Sequence, residues 1–414
     1  MFRKKMKRLV FTIGLCLVTA VMFGQKKAVS EALKLAKDAR PNFTEARAKI
    51  SGALQHAETK DVAQTWFTAG QIENLQFDKE NTKQFLGQQP NEAVMYGALL
   101  EIYPYFEKAY ELDNLPDAKG KVKPKYSKDI KSILRANLVY YINGGIYFYE
   151  QENFRKAYES FDQYVVIADS RIMKESETNV AAIDSNYFIA NYYAAAATLL
   201  GDDHATIIKA FTRASKLDYR RNDVFQYLAD EYKRVEDTVN YEKTLVEGHA
   251  LFPHEPYFLH NLVGVYINTE RNDKALESII TAVQNDPSNA QLINIAGRIY
   301  ESAFNDDEKA EEYFKKSIAI DGENAESQSN LGRIYYNRGV TQLEIANNIT
   351  DVKKFNEEKE KALELFRKAL PFYEKAFKLD SEFRENQFAL RSIYYNLQMN
   401  DKYEEITRLM GGEE

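Results

Sequence analysis

Apolar residues recur along most of the chain at i, i+3, i+4 and i+7, the spacing that gathers them on one face of an α-helix. Leu262-Val263-Gly264-Val265-Tyr266 forms one such stripe, and after a polar break Ala275, Ile279 and Ala282 form the next, closed by Pro287. The phrase returns as Ala296-Gly297-Arg298-Ile299-Tyr300, followed by Ala310, Phe314, Ser317 and Gly322, and starts again at Leu331-Gly332-Arg333-Ile334-Tyr335. Tyr232, Tyr266, Tyr300 and Tyr335 mark a period of about 34 residues. This pattern predicts two antiparallel helices per repeat. A small residue in the first helix (Ala229, Gly297, Gly332) lets its partner approach closely, and small residues in the second (Ala275, Ala282, Ala310) admit the next repeat. Pro287 cannot continue a helix and Gly322 accepts a left-handed cap, so both stop the second helix. One such pair cannot bury its apolar face alone, and the units must stack.

Weaker copies extend outward through Gly145, Phe148, Ala157 and Phe161, through Phe211, Ala214 and Leu217-Asp218, through Leu228, Ala229, Tyr232 and Pro253, and through Leu390 and Tyr394 to about Met410. On these residues the region from about 128 to 410 resembles tetratricopeptide-repeat (TPR) proteins. The resemblance implies an all-α, right-handed superhelical solenoid of about 7–8 TPR-like helix pairs, two of them extended by insertions. Residues 62–113, with Trp66 and Gly70 in the first helix, read as one stretched repeat. Residues 323–381, with an insertion around 339–362, read as the other. The stretch Tyr103-Pro104-Tyr105 to Asp113 echoes Leu370-Pro371-Phe372 to Asp380, and a kink is expected just before each proline. Three regions result: a leader at 1–24, an irregular or extended N-terminal repeat region with a loop over 25–127, and the solenoid over 128–410. The loop, Asn114 to Ser127, carries Pro116, Gly120 and Pro124 among Lys119, Lys121, Lys123 and Lys125, and reads as solvated.

Arg3, Lys4, Lys5, Lys7 and Arg8 precede an uncharged run from Leu9 to Phe23, and Gly24 is followed by a polar, Lys-rich stretch. That order is a secretory signal peptide, so the mature chain is expected in the periplasm, with no integral membrane segment after signal cleavage. Cys16, the single cysteine, follows Ile13, Gly14 and Leu15. The bulky Leu before it argues against a lipoprotein. Cleavage after Gly24 leaves no thiol for disulfide, catalytic or metal chemistry.

Composition narrows the function. Charged residues make up 28% of the chain and hydrophobic ones 44%, which excludes wholesale disorder. The 62 acidic against 55 basic residues, five of the latter in the leader, argue against nucleic acid as a partner. His56, His204, His249, His254 and His260 lack the spacing of a zinc site, and there is no phosphate loop or nucleophile elbow. Acids such as Glu357 sit four residues from a lysine, here Lys361, as on a solvated helix face. No cofactor, no metal and no catalytic residue is expected.

TPR superhelices bind partners on the concave surface lined by first helices, and the resemblance carries that expectation here. Helical spacing places Gln226, Asp230 and Lys233; Asn261 and Asn268; Asn294, Arg298 and Glu301; and Ser329, Arg333, Tyr336 and Asn337 on that face. Arg298 and Arg333 occupy the same place in neighbouring repeats. Stacked beside asparagines, they suit an acidic segment or a carboxylate terminus, unless a groove acid such as Glu301 claims them. The Lys and Asn ladder of the family's carboxylate clamp is not reproduced. The function expected is a non-catalytic scaffold or adaptor of the cell envelope. It would bind a protein or peptide segment in its groove, for envelope assembly or secretion. A glycan- or nutrient-binding accessory protein of the outer membrane is the alternative, though the expected mature chain offers Trp66 as its one tryptophan. The oligomeric state stays open.

Overall fold

The computed structural model describes residues 26–174, 184–201 and 203–411. The expected leader and its cleavage site lie outside them. The chain divides into two compact units, one up to Tyr241 and one from Glu242. Among the described residues there are helices and no strands.

The first unit opens with α1 (26–37) and α2 (Phe43–Gln55), followed by α3 (Ala63–Phe85) and α4 (Glu92–Asp113). Next come α5 (Ser127–Glu150), α6 (Phe154–Asp169), the single turn α7 (Arg171–Lys174), α8 (Ser185–Thr198), α9 (His204–Ala214) and α10 (Arg221–Arg234). Helix α11 (Thr238–Leu251) runs through the division. The second unit continues as α12 (Pro256–Asn268), α13 (Asn272–Asn285), α14 (Ala290–Phe304), α15 (Asp307–Ile320), α16 (Ala325–Asn347), α17 (Val352–Leu379), α18 (Arg384–Asn396) and α19 (Asn400–Gly411). This is an all-α solenoid of successive helix pairs. The pair α1/α2 lies where the sequence looked irregular. It forms because Val29, Ala32 and Ala36 on one helix and Phe43, Ala46, Ile50 and Ala53 on the other make short apolar stripes that bury against Ala69 and Ile72 of α3.

Within four of the pairs, α3/α4, α5/α6, α14/α15 and α16/α17, the two helices meet through a glycine set against an aromatic ring. A Cβ built on Gly70 of α3 would lie 2.4 Å from Phe106 of α4, and one on Gly145 of α5 would lie 2.6 Å from Phe161 of α6. In the second unit Gly297 of α14 meets Phe314 of α15 at 2.6 Å and Gly332 of α16 meets Tyr373 of α17 at 2.9 Å. All four rings are buried. The ring fills the space a side chain would take, which brings the helices close at interior packing density.

The turn inside four of the pairs, α5/α6, α10/α11, α12/α13 and α18/α19, is equally regular. Glu152, Glu236, Glu270 and Gln398 adopt left-handed backbone with φ of 57°, 58°, 58° and 56°. The next N–H groups, on Asn153, Asp237, Arg271 and Met399, donate at 2.8–2.9 Å to carbonyls five residues back, on Phe148, Tyr232, Tyr266 and Tyr394. This is the Schellman closure of a helix, here carried by Glu or Gln at the position that glycine usually takes.

Both long hairpins, α3/α4 and α16/α17, contain a proline inside the second helix, and each helix continues through it. Loop 114–126 lies within the first unit. Its end is tied down by Asp113, whose carboxylate accepts from the N–H groups of Lys125, Tyr126 and Ser127 at 2.7–2.9 Å. Burial raises the Asp113 pKa, but these hydrogen bonds outweigh it and leave the carboxyl below its ordinary value.

Gly297→Ala is expected to destabilise the chain by about 1–3 kcal/mol, because the new methyl must displace the Phe314 ring. Gly264→Ala, whose added methyl meets open space, is expected to be neutral or stabilising by up to about 1 kcal/mol. Thermal unfolding of the two variants checks the difference; equal midpoints would remove the glycine–ring contact as a determinant.

Candidate functional site

The candidate surface in the second unit is built by first helices α12, α14, α16 and α18. Each of α14 and α16 starts on an asparagine cap: Asn289 accepts from Leu292 N–H at 3.2 Å and Asn324 from Ser327 N–H at 2.9 Å. The caps set the phase of each helix, and with it which side chains reach the open face.

The two arginines read as stacked do not stand free. Arg333 forks onto Glu301, with Nε to Oε1 at 2.9 Å and Nη2 to Oε2 at 2.5 Å, linking α16 back to α14. Arg298 reaches forward, its Nη1 lying 2.7 Å from Oε1 of Glu326. Donation to Glu301 is the main reason the Arg333 guanidinium is held above its ordinary pKa. The arginines are not an unpaired cationic pair: each is taken by an acid, although for Arg298 that acid is Glu326 rather than Glu301. Each arginine finds its acid on the neighbouring first helix, where the separation suits a long side chain. The face is therefore charge-balanced.

Two candidates differ from the expected exposure. Asn294 and Ser329 are buried. Asn294 Oδ1 accepts from Asn330 at 3.0 Å, and Ser329 donates to Oδ1 of Asn386 at 2.6 Å. They sit six residues before the recurring tyrosine, where adjacent first helices touch. Tyr336 is half-buried between α16 and α18 and donates to Ser392 at 3.0 Å. Asn337 and Asn268 are exposed, while Asn261 bonds back to the Tyr257 carbonyl at 2.8 Å. Gln226, Asp230 and Lys233 lie on α10 in the first unit, where Gln226 donates to Asn222 at 3.0 Å and the Lys233 ammonium lies 5.9 Å from the Tyr241 ring centroid. The structure thus gathers the α14 and α16 residues into one ladder.

Sequence reasoning missed Glu326, Asn330, Asn386 and Ser392, which complete that ladder. It also missed Phe388 and Tyr395 of α18, which stay 50% and 70% exposed. They share a stripe with Ser392 at i, i+4 and i+7. The signal was that spacing, two aromatics on a helix whose buried stripe is already supplied by Ala389, Leu390, Ile393 and Tyr394.

Behind the ladder Glu311 of α15 gathers Lys315 Nζ at 2.6 Å, the Tyr335 hydroxyl at 2.7 Å and Arg338. Burial raises its pKa, but the three hydrogen bonds outweigh that and bring it down to about 2. Among the described residues no group of His, Cys, Asp and Glu is arranged to hold a metal ion, and no helix is long and apolar enough to cross a membrane.

The tetratricopeptide-repeat family model matches residues 290–324, the span of α14 and α15. With the recurring pairs around it, this makes the chain a tetratricopeptide-repeat protein, a fold used for protein-interaction scaffolds. Among solved structures, the chain is similar to a TPR-repeat protein of Bacteroides fragilis (18% identity, covering 62% of this chain and 98% of that one, TM-score 0.32). It is also similar to MamA of Desulfovibrio magneticus (13%, 45% and 94%, TM-score 0.31) and to a TPR protein of Thermus thermophilus (18%, 46% and 91%, TM-score 0.32). No curated protein matches it.

A depressed carboxyl pKa contributes stability that is complete above the unfolded value of about 4.5 and is lost as pH falls through the folded value of about 2. Glu311→Gln is therefore expected to lower the unfolding midpoint at pH 7, with the gap to the unsubstituted chain closing between pH 4.5 and 2. A gap that stays constant across that window would show that Glu311 acts by packing rather than by charge.

Proposed function

We propose that the chain is a non-catalytic adaptor of the cell envelope, which binds an extended segment of a partner protein across α14, α16 and α18. The observation that carries this reading is the exposed pair Phe388 and Tyr395 beside the charge-balanced ladder. Half-exposed rings on a rigid helix give contact area at low entropic cost. Asn337, exposed on α16, offers a donor and an acceptor for a partner's backbone. Because Arg298 and Arg333 are already neutralised, the surface favours a segment with aromatic or aliphatic anchors over an acidic terminus. Periplasmic residence rests on the basic and apolar order of Arg3 to Phe23. The glycan reading gains nothing from Trp66, which is partly buried and donates to the Lys60 carbonyl at 2.6 Å.

A photo-crosslinking residue in place of Asn337 or Tyr395, in cells exporting the chain, is expected to give one discrete protein adduct. Phe388→Glu with Tyr395→Glu should abolish the Asn337 adduct and leave the helical signal unchanged. The same adduct from Lys316, exposed on second helix α15, or its survival in the double variant, would place binding elsewhere.

A further inference from the structure

A second recess lies in the first unit between second helices α4 and α6. Gly97, Glu101 and Pro104 line it from α4 at i, i+4 and i+7, and Tyr158, Glu159 and Gln163 line it from α6; its volume is about 340 Å³. It shares no residue with the α14–α18 face, so it stands or falls independently of the function proposed above.

Its chemistry starts from Pro104. A proline has no N–H, so the carbonyl four residues earlier, on Leu100, loses its helical donor. Gln163 replaces that donor, its Nε2 lying 3.0 Å from the Leu100 oxygen. This fixes which way the amide points. Gln163 Oε1 is then an acceptor with no hydrogen-bond partner, and it is shielded from water.

The charges around the recess favour a cation. Arg47, the basic group behind Glu101, is held by Glu73 through two hydrogen bonds of 2.8 and 2.5 Å. Lys156, on the rim, rests over the Phe148 ring at 5.4 Å from its centroid. Asp162 pairs with Arg213 at 2.7 Å, and Glu159 holds Arg155 in an exposed contact at 3.2 Å. Glu101 is left without an ion pair. Burial first, then Glu73, raises its pKa despite Arg47, with Glu159 adding to the rise and Lys156 opposing it. A cation that reached it would relieve the repulsion.

We propose that this recess binds the guanidinium group of an arginine side chain presented by a partner protein. A guanidinium has five donors in one plane. Glu101 and Glu159 supply carboxylate acceptors from the two helices, and the Tyr158 ring supplies a flat wall for stacking. An ammonium has the charge but neither the plane nor the reach to several acceptors at once.

Titration of the full chain with N-acetyl-L-arginine amide, followed by calorimetry or NMR shifts, tests this. Saturable binding is expected below about 20 mM. The neutral isostere N-acetyl-L-citrulline amide and the lysine analogue should each bind at least about fivefold more weakly. Glu101→Gln should cost the arginine probe about fivefold or more. Gly97→Leu should abolish binding without loss of helix, because a Cβ at Gly97 meets open space. Absence of saturation, equal binding of the citrulline or lysine probe, or an unchanged affinity in Glu101→Gln would each overturn the proposal. An intact helical signal in Gly97→Leu with binding retained would overturn its location.

Discussion

The close approach of two helices through a glycine and a ring is the contact on which the rest of this protein depends. At Gly70, Gly145, Gly297 and Gly332 no side chain fits, since an aromatic ring from the second helix occupies that volume. The distance between paired helices follows from that fit. In α5/α6 the Schellman closure at Glu152 then turns the chain within a fixed number of residues and delivers the second helix in register with the Phe161 ring it contributes. Left-handed backbone at Glu152, Glu236, Glu270 and Gln398 costs roughly 1–2 kcal/mol each. The native fold sustains that strain because the helix beyond each turn buries side chains against its partner: Phe161, Leu245, Ile279 and Ile406.

The extended hairpins show how one local violation is absorbed and reused. Pro104 sits inside α4 and removes a donor from the helix. The loss is repaired from α6, by Gln163, rather than from α4 itself. That repair ties neighbouring second helices together and orients the Gln163 amide, leaving its oxygen buried without a hydrogen-bond partner.

Long-range ion pairs have a comparable effect on the first helices. Arg298 and Arg333 occupy equivalent places, yet one bonds forward to Glu326 and the other backward to Glu301. Half-exposed pairs of this kind contribute little to stability on their own. Their consequence is electrostatic: a face that looked cationic is neutral. On that neutral face Phe388 and Tyr395 stand out by their apolar exposure.

The sequence by itself determined the class of fold, the repeat period and the two long hairpins, because helical periodicity, small-residue positions and proline depend on neighbours within a turn or two. Residues 26–55 escaped it because their stripes are short and alanine-rich and become decisive only against Ala69 and Ile72. The candidate face was legible as a set of positions on first helices. The burial of Asn294 and Ser329 and the partners of both arginines were not. Each of these depends on a residue some 28 to 60 positions away, such as Glu326 for Arg298 or Asn386 for Ser329. Only the stacking of one repeat on the next decides which of two equally spaced polar side chains meets a neighbour and which meets water.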